Sequence, residues 1–190
     1  MKLRDLLAGV PLTGDGIGEE LEITSISYDS RTLEPGALFA ALSGEKTDGH
    51  RYIQSALERG AAAVLCEHPP EGPGPWLVAE DSRRALAQVS ANWFGRPGEG
   101  MTLIAVTGTN GKTTTTYLVE HIARVAGRKT GVIGTVGNVI GDVREKAEHT
   151  TPESPDLQAL LARMRDAGCE TVAMEVSSHA LDLMRTWGTD

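Results

Sequence analysis

The sequence predicts an α/β protein: a small N-terminal domain with a mixed sheet, followed by the first part of a doubly wound domain. Segments of strand length alternate with amphipathic segments of helix length along the 190-residue chain. Residues 95–100, rich in glycine and proline, divide this alternation in two. Beyond them the strand–helix order becomes regular, as in a parallel sheet covered by helices. We therefore expect one domain over residues 1–96 and a second over residues 97–190.

The elements of the first domain follow from local patterns. Leucines at positions 3, 6 and 7 predict a short helix over residues 2–8, and Gly9 and Pro11 end it. Alternating apolar and polar residues predict a half-buried strand over 23–28, followed by a turn. Short apolar runs predict further strands over 37–42, 63–66 and 76–79. Helical periodicity predicts helices over 52–59 and 82–94.

The second domain shows three strand segments of the kind found in parallel sheets. Its predicted strands are 101–107, 130–135 and 171–176, its predicted helices are 112–126 and 154–167, and residues 138–146 suggest a hairpin. Parallel sheets are usually wider than three strands and are covered on both faces. We therefore expect the chain to be a fragment of a longer protein.

Composition excludes several classes of function. The formal net charge of −8 argues against general nucleic-acid binding, which needs a basic face. No apolar run approaches bilayer length, and the charged N-terminus does not resemble a signal peptide. Cys66 and Cys169 are isolated and lack metal-ligand spacing, which favours a reducing compartment. We expect a cytoplasmic protein with no membrane or nucleic-acid partner.

The stretch Gly108-Thr-Asn-Gly-Lys-Thr-Thr114 joins a predicted strand to a predicted helix and has the composition of a phosphate-binding loop. Such a loop holds phosphates with backbone N–H groups, a lysine and the start of a helix, and its hydroxyl binds Mg²⁺. Lys112 would be the lysine of such a loop, and Thr113 would supply the hydroxyl. The usual pattern has glycine where this chain has Val106, and we expect Gly108 to supply the permissive backbone.

A glycine-rich turn without a ligand is the alternative interpretation of this stretch. Four consecutive threonines weaken the start of the helix, because threonine is a mediocre helix former. A local cost of this kind is typical of a binding site. The loop therefore predicts that the chain binds ATP with Mg²⁺.

The same loop resembles the ATP loop of the Mur ligases, which add amino acids to the muramoyl peptide of bacterial cell wall. Further stretches are similar to the members of the family that add the third amino acid: Tyr28-Asp-Ser-Arg31, Gly134-Thr-Val-Gly137, His149-Thr-Thr-Pro152 and Met174-Glu-Val-Ser-Ser-His-Ala-Leu181. The resemblance covers the whole chain. It implies a UDP-binding domain over 1–96 and part of an ATP-binding central domain over 97–190, without the C-terminal domain.

The resemblance implies an ATP-dependent amide ligase of peptidoglycan precursor synthesis. A carboxylate of UDP-MurNAc-L-Ala-D-Glu would become an acyl phosphate, and a diamino acid would then displace phosphate. Family frequency favours meso-diaminopimelate over L-lysine. The carbamylated lysine and the second Mg²⁺ site of the family would lie beyond residue 190. We therefore expect the fragment to be inactive alone, and the full-length protein to be a monomer.

The resemblance also implies roles for particular residues. Lys112 and Glu175 would be catalytic, and Thr113 and Glu175 would hold Mg²⁺. A buried glutamate paired with an arginine is the alternative for Glu175. The expected ATP-binding residues are Gly108, Thr109, Asn110, Gly111, Lys112, Thr113 and Thr114. The expected contacts to UDP-MurNAc-dipeptide are Ser30, Glu45, Lys46, Thr47, Thr150, Thr151, Ser177 and Arg185.

Structural roles remain open for several of these residues. Thr-Thr-Pro before a helix is also an ordinary helix start, Arg185 could be a surface charge, and residues 45–47 could be a solvated turn. Two other functions also remain open: another ligase of the superfamily, such as one like folylpolyglutamate synthase, and a non-catalytic nucleotide-binding module.

Overall fold

The computed structural model describes residues 1–15, 17–44 and 47–189. The predicted ligand residues Glu45 and Lys46 therefore lie outside the described residues. The chain divides into two compact units, Met1–Trp93 and Phe94–Asp190, and each contains one five-stranded sheet.

The first unit is built on a mixed sheet with the strand order β1-β5-β4-β3-β2. Strand β1 runs antiparallel to β5, and the other neighbours are parallel. The strands are β1 Leu12–Asp15, β2 Ile26–Ser27, β3 Leu38–Ala40, β4 Ala63–Cys66 and β5 Trp76–Ala79. The helices are α1 Leu3–Leu6, α2 Ile53–Glu58 and α3 Ser82–Trp93, and a 3₁₀ turn covers Gly49–Tyr52.

Alternation along the central strands gives this sheet two apolar faces. Leu38 and Leu65 pack with residues of α1 and α3 in one buried cluster. Phe39 and Val64 point the other way and pack with residues of α2. Successive strand residues face opposite sides, so the sheet lies between two helical layers.

The sequence-based expectations for this unit differ from the structure mainly at the sheet edges. The predicted strands 63–66 and 76–79 agree with β4 and β5 at both ends. The predicted strand 23–28 is too long, because the N–H groups of Ile23 and Thr24 bond to the carbonyls of Met1 and Gly36 rather than to β3. Strand β1 was not predicted, since an edge strand of four residues carries almost no periodicity.

The second unit has the strand order β6-β10-β7-β8-β9. Strands β6, β10 and β7 are parallel, and β8 and β9 form an antiparallel hairpin beside β7. The strands are β6 Thr102–Val106, β7 Thr130–Ile133, β8 Asn138–Ile140, β9 Val143–Glu145 and β10 Thr171–Glu175. The helices are α4 Lys112–Val125, α5 Ser154–Asp166 and α6 Ser178–Asp182, and a 3₁₀ turn covers Pro97–Gly100.

Helices α4 and α5 cover opposite faces of this sheet. Val172 and Met174 share a buried cluster with Leu161 and other residues of α5. Glu175 points to the other face, where Thr113 of α4 hydrogen-bonds it. The two units thus confirm the predicted α/β class, a mixed-sheet domain followed by a doubly wound arrangement, and the hairpin is confirmed as well.

Within the described part of the chain, none of the helices combines the length and the apolar composition that a bilayer crossing requires.

Candidate functional site

The three parallel strands of the second unit end at one edge of their sheet. Glu175 pairs with Val106 and Met174 pairs with Ile133, so β6, β10 and β7 finish at the same level. The loops that follow, residues 107–111, 134–137 and 176–177, therefore lie side by side. Doubly wound sheets bind ligands at this edge.

The glycine-rich loop has backbone geometry that suits an anion. Gly108 and Gly111 have φ values of 143° and 78°, in the left-handed region that favours glycine. None of the N–H groups of residues 108–114 donates a hydrogen bond to the described part of the protein, and Gly111 caps α4 without a side-chain bond. Lys112 Nζ donates to the Gly108 carbonyl at 2.7 Å, which places the ammonium against the loop. Free amides, a helix start and one cation thus coincide.

Glu175 is a buried carboxylate held only by neutral donors. Glu175 is only 1% exposed to solvent. Thr113 Oγ1 donates to Oε2 at 2.9 Å, the Thr135 N–H donates to Oε1 at 3.0 Å, and Thr135 Oγ1 lies 3.2 Å from Oε2. No lysine, arginine or histidine of the described chain forms an ion pair with it, so the arginine partner considered as an alternative is not found. A buried charge without a cation is costly.

The oxygen atoms near Glu175 suit Mg²⁺, which needs few protein ligands, better than a metal ion coordinated by side chains alone. Among the described residues, no group of three or more His, Cys, Asp and Glu side chains could hold a metal. Magnesium usually takes one or two carboxylates and completes its shell with water and substrate phosphates. The Glu175 carboxylate and the Thr113 hydroxyl, beside a loop suited to phosphate, have this chemistry.

Thr150 and Thr151 are used differently although they are neighbours. The Thr150 hydroxyl lies 3.0 Å from the Thr135 hydroxyl at the edge of the sheet. The Thr151 hydroxyl is buried, donates to the Glu175 carbonyl at 2.9 Å and accepts the Ser177 N–H at 3.2 Å. The contact of Thr151 with the muramoyl dipeptide therefore stays a prediction, and its backbone N–H forms no hydrogen bond with the described residues.

One cavity of about 390 Å³ brings most of these groups together. It is lined by residues of the phosphate loop, of the β7 and β10 ends and of the loop before α5: Thr109, Asn110, Gly111, Lys112, Thr113, Thr114, Thr135, Thr150, Glu175 and Ser177. Residues predicted to bind ATP and residues predicted to bind the muramoyl dipeptide thus share one space. The cavity does not include Thr151 or Arg185 among its lining residues.

Arg185 is partnered within the protein. Its guanidinium forms an ion pair with Glu153 at 2.6 Å and donates to the Thr151 carbonyl at 3.0 Å. Its Nε is buried and has no hydrogen-bond partner. The plain surface charge considered as an alternative does not describe this residue. A substrate carboxylate would have to displace Glu153 or share the guanidinium with it.

In the first unit, Ser30 lies buried in the turn that follows β2. The carboxylate of the preceding Asp29 accepts the Arg31 N–H at 2.9 Å and pairs with the Arg31 guanidinium at 2.6 Å. These hydrogen bonds from Arg31 lower the pKa of Asp29 to about 2. The turn that presents Ser30 is therefore held by an ionised carboxylate across the neutral pH range.

Hydrogen bonds hold the residues on either side of Thr47 and of the predicted ligand loop. Ser43 and Asp48 form a β-bridge, and the Ser43 hydroxyl donates to Glu67 at 2.9 Å. His50 Nε2 accepts the Glu67 N–H at 2.9 Å, and its Nδ1 contacts Asp48 at 2.7 Å. Thr47 itself is exposed, so its contact with a ligand stays a prediction.

Sequence reasoning assigned no role to Gly134 and Thr135, although the stretch Gly134-Thr-Val-Gly137 resembles the Mur ligases. A Cβ at Gly134 would lie 2.4 Å from Glu175 Oε1, so the carboxylate needs glycine here. A second signal was positional, because both residues follow a strand that is parallel to the strand ending in the glycine-rich loop.

Comparison with known proteins places this geometry in a family. Residues 22–93 match the family model described as "Mur ligase family, catalytic domain", and residues 106–190 match "Mur ligase middle domain". The UDP-N-acetylmuramoyl-L-alanyl-D-glutamate--2,6-diaminopimelate ligases of Geobacillus thermodenitrificans and Chlorobium phaeobacteroides are 47% and 46% identical over 190 and 194 residues. These alignments cover 100% and 99% of this chain, but only 39% and 38% of the relatives.

A solved structure of a UDP-N-acetylmuramoyl-L-alanyl-D-glutamate--2,6-diaminopimelate ligase gives a TM-score of 0.80 at 28% identity, and the match covers 99% of this chain and 38% of that structure. The chain therefore spans about two fifths of the length of the relatives it matches. The two family models follow one another in order over most of the sequence, and the chain belongs to the Mur ligase family.

Proposed function

We propose that the protein is an ATP-dependent ligase that joins a diamino acid, 2,6-diaminopimelate, to UDP-MurNAc-L-Ala-D-Glu in the cytoplasm. One observation carries the proposal. Residues 109–114 of the glycine-rich loop, whose N–H groups form no hydrogen bond with the described part of the protein, line a single cavity together with the buried Glu175, Thr150 and Ser177. The names of the relatives supply the identity of the substrates in this proposal.

In this proposal the loop holds the triphosphate. The amides around Gly108 and Gly111 and the N-terminus of α4 neutralise phosphate charge without buried cationic side chains. The Lys112 ammonium would exchange the Gly108 carbonyl for a phosphate oxygen. This local arrangement accounts for anion binding by a chain with a net charge of −8.

Thr113 and Glu175 would hold Mg²⁺, which offsets the repulsion between the carboxylate and the phosphates. The Thr113 hydroxyl could offer an oxygen lone pair to the ion while it still donates its hydrogen bond to Glu175. The ion would neutralise charge that develops on the transferred phosphoryl group.

The reaction itself has two steps. A carboxylate oxygen of the D-glutamyl group attacks the γ-phosphorus, and the bond to the β,γ-bridging oxygen breaks to give an acyl phosphate and ADP. The amine of the diamino acid then attacks the acyl carbon, loses a proton and expels inorganic phosphate. The first step depends on charge neutralisation, because the carboxylate and the phosphate oxygens carry like charge, and both steps depend on positioning.

Isothermal titration calorimetry with UDP-MurNAc-L-Ala-D-Glu tests the proposal. We expect the 190-residue chain to bind it, and Ser30→Ala and Arg185→Ala to weaken binding. Calorimetry with ATP and Mg²⁺ is the companion measurement, with Lys112→Ala as the weakened variant. A nucleotide-binding module would bind ATP alone, and a ligase of the folylpolyglutamate synthase type would bind ATP but not the muramoyl dipeptide. Absence of dipeptide binding by the intact full-length protein would remove the proposal.

We expect the 190-residue chain to bind both ligands without forming tripeptide. This chain spans only 39% of the length of the Geobacillus thermodenitrificans relative, and the proposed turnover belongs to a protein of that full length. Steady product formation by residues 1–190 would contradict this expectation.

A further inference from the structure

The Thr135 hydroxyl lies between two groups with different proposed roles. It is 3.2 Å from Glu175 Oε2, on the metal side of the cavity, and 3.0 Å from Thr150 Oγ1, on the dipeptide side. The backbone N–H of the same residue holds Glu175 Oε1 at 3.0 Å. Thr135 therefore contacts both oxygens of the Glu175 carboxylate, and its hydroxyl connects this carboxylate to the Thr150 hydroxyl.

The charge on Glu175 sets the direction of these hydrogen bonds. An ionised carboxylate only accepts hydrogen bonds, whereas a hydroxyl donates one hydrogen and accepts through its lone pairs. The Thr135 hydrogen must therefore point to Glu175 for that bond to form. The Thr135 oxygen then accepts the hydrogen of Thr150. The resulting order is Thr150 to Thr135 to Glu175, and each hydroxyl polarises the next.

This order determines what Thr150 can offer to a ligand. With its hydrogen committed to Thr135, the Thr150 oxygen faces the cavity with lone pairs. It can then accept a hydrogen bond from an amide N–H or a sugar hydroxyl, and it repels a ligand carboxylate.

Resting on the proposed function, we infer that Thr135 is a positioning residue that couples the Glu175 carboxylate to Thr150. It orients the carboxylate for the metal and makes the Thr150 hydroxyl an acceptor for an N–H or O–H group of the muramoyl dipeptide. Gly134 supports this arrangement, because a side chain there would meet Glu175 Oε1 at 2.4 Å.

Thr135→Val tests the inference because it keeps the shape and the N–H and removes the hydroxyl. Thr135→Ser restores the hydroxyl, and Thr115→Val is the matched control on an exposed face of α4. Calorimetry measures ADP affinity with and without Mg²⁺, and separately the affinity for UDP-MurNAc-L-Ala-D-Glu. Circular dichroism confirms that each variant is folded.

We expect Thr135→Val to lose most of the gain in ADP affinity that Mg²⁺ gives the wild type. Its dipeptide affinity should fall by about 5- to 10-fold, the effect of one net hydrogen bond. Thr135→Ser and Thr115→Val should behave as wild type. Because the two hydroxyls act as one chain, Thr135→Val and Thr150→Val together should weaken dipeptide binding no more than either one alone.

Wild-type behaviour of Thr135→Val in the Mg²⁺ measurement would overturn the inference, as would effects of Thr135→Val and Thr150→Val that multiply. A wild-type chain that binds ADP and Mg²⁺ but no dipeptide would instead refute the proposed function. The Mg²⁺ measurement alone would then decide whether Thr135 positions Glu175.

Discussion

At the scale of single residues, Glu175 organises the edge of the second sheet. Its two oxygens collect donors from α4 and from the loop after β7, and its carbonyl accepts the Thr151 hydroxyl from the loop before α5. Three segments that are distant in sequence are therefore held by one residue at the end of β10. Since all these donors are neutral, the negative charge of the carboxylate stays available to a cation.

Replacing Glu175 by glutamine tests whether this charge serves the metal. We expect Glu175→Gln to bind ADP without Mg²⁺ at least as well as the wild type, because one repulsive charge is removed. Mg²⁺ should no longer improve the affinity, a loss of more than about tenfold. Calorimetry at several Mg²⁺ concentrations measures both values. A variant that keeps the full Mg²⁺ effect would show that Glu175 is not a metal ligand.

Gly134→Ala tests the close packing of the carboxylate. The added Cβ would lie 2.4 Å from Oε1 and 3.0 Å from Cδ of Glu175, so the side chain or the loop must shift. We expect a loss of about 1–3 kcal/mol in the free energy of unfolding, as for other overpacked sites, together with weaker Mg²⁺-dependent ADP binding. Gly100→Ala is the control, because a Cβ there meets nothing within 4 Å. Urea unfolding compares the two, and equal stabilities would refute the packing argument.

At the scale of elements, burial decides which parts of the molecule are predictable. Strands β4 and β5 are apolar runs in the middle of a sheet, and their bounds can be predicted from residues 63–66 and 76–79 alone. Edge strand β1 and the five-residue α6 lack a repeat long enough to be recognised, and edge strand β2 is shorter than the strand predicted over residues 23–28. The glycine-rich loop is predictable because its composition is typical of phosphate-binding loops. Thr135 lies in the family-like stretch Gly134-Thr-Val-Gly137, but its contacts with Glu175 and Thr150 depend on the pairing of distant strands.

The same distinction separates Thr150 from Thr151. The resemblance to the Mur ligases implies a ligand contact for each of them, and the two residues are adjacent and chemically equal. Only the packing of the loop against β10 shows that the Thr151 hydroxyl is enclosed between Glu175 and Ser177. The hydrogen-bond partners of the Thr151 hydroxyl depend on tertiary contacts, which local sequence patterns do not reveal.

The turn at Asp29 and Arg31 is an element whose stability should depend on pH. The pKa of Asp29 is lowered from 3.8 to about 2, so its contribution to folding is present above pH 3.8 and is lost as the pH falls through 2. In Arg31→Gln the pKa should return toward 3.8, because the side-chain hydrogen bond from Arg31 is the largest cause of the shift. Carboxyl ¹³C NMR measures the pKa directly. Arg51→Gln, an exposed arginine outside this turn, should leave it at about 2.

At the scale of the whole molecule, the second unit carries apolar surface that its own elements leave uncovered. Strand β6 is the outer strand of its sheet, and Leu118, Ile122 and Val125 of α4 are 57%, 68% and 74% exposed. Open strand edges and contiguous apolar patches promote association. In relatives more than twice as long, additional chain is available to cover such surfaces.

We therefore expect the 190-residue chain to self-associate at micromolar concentration, and Ile122→Lys to reduce this association. The substituted lysine places a charge in the middle of the exposed stripe of α4, where a second molecule would otherwise bury apolar surface. Gln54→Lys adds the same charge at an exposed residue of α2 in the first unit and should leave association unchanged. Sedimentation velocity across a concentration series measures the distribution of species, and ADP binding by both variants verifies that the loop is intact. A wild-type chain that stays monomeric throughout the series would show that the uncovered face of α4 and the free edge of β6 are compatible with a stable monomer.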